Sequence, residues 1–176
     1  MKNYKKALPD LNKAIEYKTN YAYAFYKRGL IRTQQKDNIG ALQDFTNALN
    51  IERKPETYMM RASIRNDLKD YTGAADDYTS AIKMIKNNYI PYTLRASTYY
   101  RMEKYEDAVK DYTKSLKLKP NYPESYLGRG LARIKLSQYK EAEKDLNKAK
   151  ELYLKNEDMT GYNRTSQIIN KIQTNK

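Results

Sequence analysis

Nine residues, ALQDFTNAL from Ala41 to Leu49, recur along the chain with the same order of small, apolar and acidic positions. The other copies are ALPDLNKAI (Ala7–Ile15), AADDYTSAI (Ala74–Ile82), AVKDYTKSL (Ala108–Leu116) and AEKDLNKAK (Ala142–Lys150). Their leading alanines stand 34, 33, 34 and 34 residues apart. A period in that range marks a stack of one supersecondary motif, in which no copy can bury its apolar face alone and each leans on its neighbours.

Within each copy, small or apolar residues fall at i, i+1, i+4, i+7 and i+8, as in Ala41, Leu42, Phe45, Ala48 and Leu49. That spacing draws one stripe along a helix. Upstream of four copies stands a second phrase: FYKRGLIR from Phe25, YMMRASIR from Tyr58, YTLRASTY from Tyr92 and YLGRGLAR from Tyr126. Each has an aromatic, an arginine three residues on, then glycine or alanine. Polar breaks at Gln35, Leu68, Met102 and Leu136 separate the two phrases, so each repeat holds two helices. Gly29, Ala62, Ala96 and Gly130 on the first helices, and Ala41, Ala74, Ala108 and Ala142 on the second, are small enough for close antiparallel approach. Phe45, Tyr78, Tyr112 and Leu146 fill the wider part of each seam. Pro55 and Pro123 stand at first-helix starts and Pro120 at a helix end. Pro9 falls inside the first copy, where an interior proline costs about 3 kcal/mol. The expected solution is a helix that begins near Leu8, with Pro9 in its first turn.

These repeats resemble the tetratricopeptide repeat (TPR) family of helix–turn–helix motifs. The third reads Tyr92, Ala96, Tyr99, Tyr105, Ala108, Tyr112, Ser115 and Pro120, close to the family's order of aromatic, small and closing proline positions. Arg32, Arg65 and Arg133 replace a usual apolar residue or tyrosine, and Asn38 replaces the near-turn tyrosine, departures expected to weaken individual seams. The resemblance implies an all-α fold, a right-handed α-solenoid (TPR superhelix) of stacked antiparallel helix pairs. Complete repeats are placed at 22–54, 55–88, 89–122 and 123–156. Residues 1–21 form an N-terminal half repeat with only a second helix. Residues 157–176 form a C-terminal capping helix with Tyr162, Ile168, Ile169 and Ile172 on one face. The N-terminal stripe of Leu8, Leu11, Ala14 and Ile15 is left open. Upstream residues cover it, two copies self-associate there, or it frays.

The chain holds no histidine and no cysteine, which removes the commonest general base, the thiolate nucleophile and the usual transition-metal ligands. No glycine-rich phosphate loop occurs. The expectation is a protein without catalysis, cofactor or metal. No apolar run approaches the ~18 residues of a spanning helix, and no secretory signal pattern is seen. The expected setting is cytoplasmic, with no membrane insertion.

Two polar registers recur: Arg28, Arg61, Arg95 and Arg129 on first helices, and Asp10, Asp44, Asp77, Asp111 and Asp145 on second helices. A buried guanidinium needs a carboxylate, so a structural ion-pair ladder is expected, with a row of arginines gripping an acidic ligand as the alternative. The register leaves two partners for each arginine, within one repeat (Arg28 with Asp44) or across repeats (Arg28 with Asp10).

The resemblance also implies a concave groove lined by first helices. By register its residues are Tyr23, Tyr26, Leu30, Met59, Ser63, Asn66, Thr93, Ser97, Tyr100, Arg101, Leu127 and Leu131, flanked by Thr33, Gln34 and Lys135. That mixture suits a protein or peptide with acidic and apolar features. Some family members capture chaperone tails with paired Lys and Asn. Tyr26 with Leu30, and Met59 with Ser63, stand at those positions here, so that ligand is not expected. First helices carry ten basic and three acidic residues, and the whole chain is a basic protein at +13. Nucleic acid, RNA in particular, is therefore the alternative partner. Abundant Lys, Asn, Tyr and Ile also match the bias of an AT-rich genome. The reading is a non-catalytic scaffold that binds a partner in its groove.

Overall fold

The computed structural model describes residues 4–174. Ten helices and no strand occur among them. They are α1 (Tyr4–Tyr17), α2 (Ala22–Gln34), α3 (Asn38–Ile51), α4 (Pro55–Asp67), α5 (Tyr71–Met84), α6 (Ile90–Arg101), α7 (Tyr105–Leu118), α8 (Pro123–Lys135), α9 (Tyr139–Lys155) and α10 (Met159–Thr174). The chain divides into two compact bodies, Met1–Lys86 with α1–α5 and Asn87–Lys176 with α6–α10. In the N-terminal body α2 pairs with α3 and α4 with α5, while α1 packs on α2 and α3 on α4. In the C-terminal body α6 pairs with α7 and α8 with α9, while α7 packs on α8 and α10 on α9.

The turn inside each repeat has one design. Lys36, Lys69, Glu103 and Ser137 take φ of 62°, 64°, 59° and 59°. The following residue returns its N–H to the carbonyl five positions back, as in Asp37 to Arg32 (2.9 Å) and Asp70 to Arg65 (2.8 Å). This is the double hydrogen bond that closes a helix through a left-handed residue. Asp37 and Asp70 then cap the next helix by accepting from Gly40 and Gly73 N–H, both at 2.9 Å. Those glycines lie against the capping carboxylates: a Cβ on Gly40 would come 2.2 Å from Asp37 Oδ2 and turn that exposed side chain aside.

The connection from α9 to α10 uses the same turn. Glu157 has φ 59°, Asp158 N–H reaches Tyr153 O at 2.9 Å, and Asp158 accepts from Gly161 N–H at 2.9 Å. α9 has 17 residues against 14 in α3, α5 and α7, so α10 folds back along the extended end of α9. Leu127, Leu146, Ala149, Tyr153, Ile169 and Ile172 form the buried cluster there, with Tyr162 and Ile168 packed against it.

Pro9 departs from the expectation. α1 starts at Tyr4, which places Pro9 as its sixth residue rather than in its first turn. Pro9 lies on the exposed side of the helix. Water is at hand there for the carbonyl that loses its helical donor.

In the seams, Ala41, Ala74, Ala108 and Ala142 are fully buried, and Phe45, Tyr78, Tyr112 and Leu146 are buried opposite them. Gly29 lies beneath Phe45, and a Cβ on it would meet the ring at 2.9 Å.

A candidate partner-binding surface and the polar seam beneath it

Each ladder arginine grips the aspartate 16 residues on, within its own repeat. Arg61 donates from Nε and Nη2 to the two oxygens of Asp77 at 2.8 and 2.7 Å. Arg95 does so to Asp111 (2.6 and 2.8 Å) and Arg129 to Asp145 (2.8 and 2.7 Å). Arg28 donates to Asp44 from Nε at 3.0 Å and from Nη2 at 2.7 Å. The two-point fork is the geometry in which a guanidinium matches a carboxylate best. The aromatic one turn earlier supports each arginine from one side, with guanidinium carbons 5.5 to 5.9 Å from the Phe25, Tyr58, Tyr92 and Tyr126 ring centres. Cation–π attraction thus accounts for the aromatic-x-x-Arg phrase.

Contact across repeats exists, but not with the ladder aspartates. Nη1 of Arg28, Arg61 and Arg129 donates to Asn12 Oδ1 (2.8 Å), Thr46 Oγ1 (3.3 Å) and Thr113 Oγ1 (3.0 Å) of the preceding repeat. Those acceptors lie two residues beyond the ladder aspartates.

Arg32, Arg65 and Arg133 do not leave weakened seams. Each donates from Nη1 to the aspartate its neighbour holds: Asp44 at 2.9 Å, Asp77 at 2.8 Å and Asp145 at 2.6 Å. Three carboxylates are therefore each shared by two arginines. Arg32 and Arg65 also place Nε 3.6 and 3.5 Å from the capping Asp37 and Asp70. Gln138 holds the corresponding place before α9, makes no side-chain cap, and leaves buried Arg133 Nε without a hydrogen-bond partner among the described residues. Gln138→Asp supplies the cap and places a carboxylate beside Arg133, as Asp37 and Asp70 stand 3.6 and 3.5 Å from Nε of Arg32 and Arg65. It is expected to raise stability by about 0.5–2 kcal/mol in urea denaturation, and an unchanged or lowered midpoint counts against this account of the turn.

The ladder alters the charge of the groove side. Seven of the ten basic residues on α2, α4, α6 and α8 bind the four aspartates. Lys27, Arg101 and Lys135 remain outside it.

The expected groove residues fall into two kinds. In the N-terminal body Tyr23 is 55% exposed, and Met59, Ser63 and Asn66 are half-buried. Tyr26 and Leu30 instead pack against the cluster of Ala41, Phe45 and Ile64, with the Tyr26 and Phe45 rings 5.9 Å apart. A cleft of about 650 Å³ lies beside them, lined by residues of α1, α2 and α4. In the C-terminal body Thr93, Ser97, Tyr100, Leu127 and Leu131 line an open cleft of about 410 Å³. Leu127 differs from the expectation of open surface. It is 7% exposed and belongs to the cluster with Ile169 and Ile172, against which Leu131 also packs. The phase change in α9 that brings α10 back is the cause. Thr93 is tied into a triangle of hydroxyls with Ser115 and Ser125 at 2.7, 2.9 and 2.8 Å. Tyr100 stacks edge-on to Tyr105 at 5.4 Å. Arg101 is exposed.

Tyr112, Tyr153 and Arg164 also line this cleft and were not among the register residues. Tyr112 sits so close to α8 that a Cβ on Gly128 would come within 2.3 Å of its ring. Burial pushes its phenol up to about 12, against a hydrogen bond with Ser97 that draws it down. Arg164 and Tyr153 were hidden from a register argument because the 34-residue phase breaks in α9. Among the described residues no group of three or more His, Cys, Asp or Glu could hold a metal ion. No helix is long and apolar enough to cross a membrane.

A family profile described as TPR repeat matches residues 96–137, and one described as tetratricopeptide repeat matches 55–88 and 123–156. No curated protein matches the chain. MamA 41-end from Desulfovibrio magneticus RS-1 superposes with a TM-score of 0.81 at 18% identity, covering 86% of each chain. That likeness is one of fold. The first TPR of Spaghetti (RPAP3), bound to the HSP90 peptide SRMEEVD, has a TM-score of 0.62 at 27% identity, over 69% of this chain and 92% of that one. The Arabidopsis OM64 TPR domain gives 0.60 at 26%, over 66% and 94%.

Proposed function

The chain belongs to the tetratricopeptide repeat family, and on that premise we propose that it is a non-catalytic scaffold holding a partner protein or peptide against the groove side of its first helices. The observation that carries this reading is a division of labour on those helices. The arginines are engaged inward with aspartates, while Tyr23, Met59, Ser63, Ser97 and Arg101 stand outside the ion-pair ladder. Within each body such positions offer the apolar and small polar contact that suits a peptide or helix. Lys27, Arg101 and Arg164 supply cations for an acidic side chain on it. The first TPR of Spaghetti is bound to an HSP90 peptide. This chain has Tyr26, Leu30, Met59 and Ser63 where the tail-capturing subset has paired Lys and Asn, so its partner is of another sequence. The nucleic-acid reading loses most of its support, since the groove's positive charge is largely bound to aspartates.

The test is affinity capture with the full chain at two salt concentrations, with and without nuclease, followed by Ser63→Arg and Ser97→Arg. Both substitutions place bulk in the groove without touching the ladder. The expected result is a nuclease-resistant protein whose retention falls at least tenfold with either variant, at unchanged helicity. A ligand that vanishes on nuclease treatment, or that ignores both variants, overturns the proposal.

A further inference from the structure

Each body holds one seam between complete repeats, α2–α3 against α4 and α6–α7 against α8, and the two are built from the same positions. One is filled and the other is open. In the C-terminal body Tyr89, three residues before Tyr92, and Tyr122, directly before Pro123, meet edge-on with ring centres 4.7 Å apart. Lys119, the C-cap of α7, lies over both rings at 4.5 and 5.3 Å and donates to Tyr89 Oη at 2.9 Å. In the N-terminal body the register puts Ala22 in place of Tyr89, Lys54 in place of Tyr122 and the α3 C-cap Glu52 in place of Lys119. Neither ring is present, and a pocket of about 150 Å³ opens between the start of α2, the end of α3 and the start of α4.

Ala48 and Thr57, 1% and 3% exposed, form its floor. Ala22 and the rings of Tyr23 and Tyr26 are its walls, and the exposed Glu52, Lys54 and Glu56 its rim. Lys54 is tied to Glu52 at 2.9 Å, and among the described residues Glu56 is in no ion pair. Two carboxylates against one ammonium give this rim a negative balance on a chain of +13. The filled seam states what the place accepts: aromatic rings with a cation over them. We propose that the pocket anchors the partner by one aromatic side chain that has a lysine or arginine next to it in sequence. Tyr23 and Tyr26 belong to the groove, so the anchor rests on the groove reading and adds to it the residue type by which the partner is held. A ring gains tilted or edge-on contact with Tyr23 and Tyr26 that an aliphatic chain does not. A basic neighbour meets Glu52 and Glu56, whereas an acidic one is repelled by them.

The blocked peptide acetyl-Ala-Lys-Phe-Lys-Ala-amide serves as the probe. It is titrated to millimolar concentration into the isotope-labelled full chain, with amide shifts as the readout. Saturable shifts are expected at the start of α2, the end of α3 and the start of α4. Alanine for the peptide's phenylalanine, or glutamate for both its lysines, should weaken binding at least tenfold, and leucine for the phenylalanine at least threefold. These controls need no change in the protein. Ala22→Tyr, which restores the ring that Tyr89 supplies in the C-terminal body, should abolish the shifts. Glu56→Gln should weaken binding at least threefold. Glu56 is exposed, so its variant should keep the wild-type melting curve, which separates lost binding from lost fold. Absence of saturation, or equal affinity for the glutamate peptide, overturns the proposal. So does a captured partner whose retention falls with Ser63→Arg but not with Ala22→Tyr, a result that leaves the groove reading standing. A partner indifferent to Ser63→Arg, Ser97→Arg and Ala22→Tyr alike overturns both.

Discussion

Asp77→Ala is expected to destabilise the N-terminal body by about 3–5 kcal/mol, the range for breaking a buried charge cluster from one side. Asp77 is 3% exposed and takes three hydrogen bonds from two arginines, Arg61 Nε and Nη2 and Arg65 Nη1, at 2.7 to 2.8 Å. Without the carboxylate two guanidiniums, 14% and 24% exposed, face each other across one small cavity. Asp111→Ala provides the internal comparison. Tyr99 stands where Arg65 stands one repeat earlier, and Asp111 holds Arg95 through two bonds at 2.6 and 2.8 Å. One charged pair should cost about 1.5–3 kcal/mol. Urea denaturation of both variants measures the difference. An Asp77 variant within ~1 kcal/mol of wild type would place the cluster with exposed ion pairs and leave the seams to apolar packing alone.

Most of the architecture could be read because it is periodic. Helix pairs follow from the spacing of Ala41, Phe45 and Ala48 and their counterparts, since the stripe and the polar breaks repeat together. What could not be read depends on geometry between helices. An offset of 16 residues within a repeat and one of 18 to the preceding aspartate look equally good on paper, as with Arg28 to Asp44 and to Asp10. Only the crossing of α2 over α3 brings the first pair together and turns Nη1 toward Asn12 instead. Arg32, Arg65 and Arg133 read as departures from a family pattern, yet one turn after the ladder arginine is within reach of the same carboxylate. For α10 the signal was present: Asp158-x-x-Gly161 repeats Asp37-x-x-Gly40 and Asp70-x-x-Gly73, the mark of a turn inside a repeat. Register also ranks positions by the face they occupy, without regard to what else arrives there. Leu127 and Leu131 share a face with Thr93 and Ser97, but the longer α9 brings α10 back to their cluster.

Phe45→Ala should lower stability by a comparable 3–5 kcal/mol, and the response of Gly29 to it tests how the seam closes. Phe45 is fully buried against Ala41 and Ile64, with Tyr26 and Leu30 packed on the same cluster. Its ring lies against the bare backbone of Gly29, so truncation opens a hole that no side chain at position 29 can enter. Gly29→Ala in the wild type sets two effects against each other. Alanine favours a helix interior by about 1 kcal/mol, while its Cβ would meet three ring atoms at 2.9 to 3.1 Å and force the ring to move. Ala62 and Ala96 occupy the same position opposite Tyr78 and Tyr112, so the seam can seat a methyl there and the clash is a limited one. The wild-type substitution is therefore expected to be near neutral. In the Phe45→Ala background the clash is gone, the propensity gain remains, and the methyl fills part of the hole. Gly29→Ala should then stabilise by about 1–2 kcal/mol, giving a coupling of at least ~1 kcal/mol in a double-mutant cycle. Equal effects of Gly29→Ala in both backgrounds would mean that small-against-large complementarity is not what holds α2 to α3.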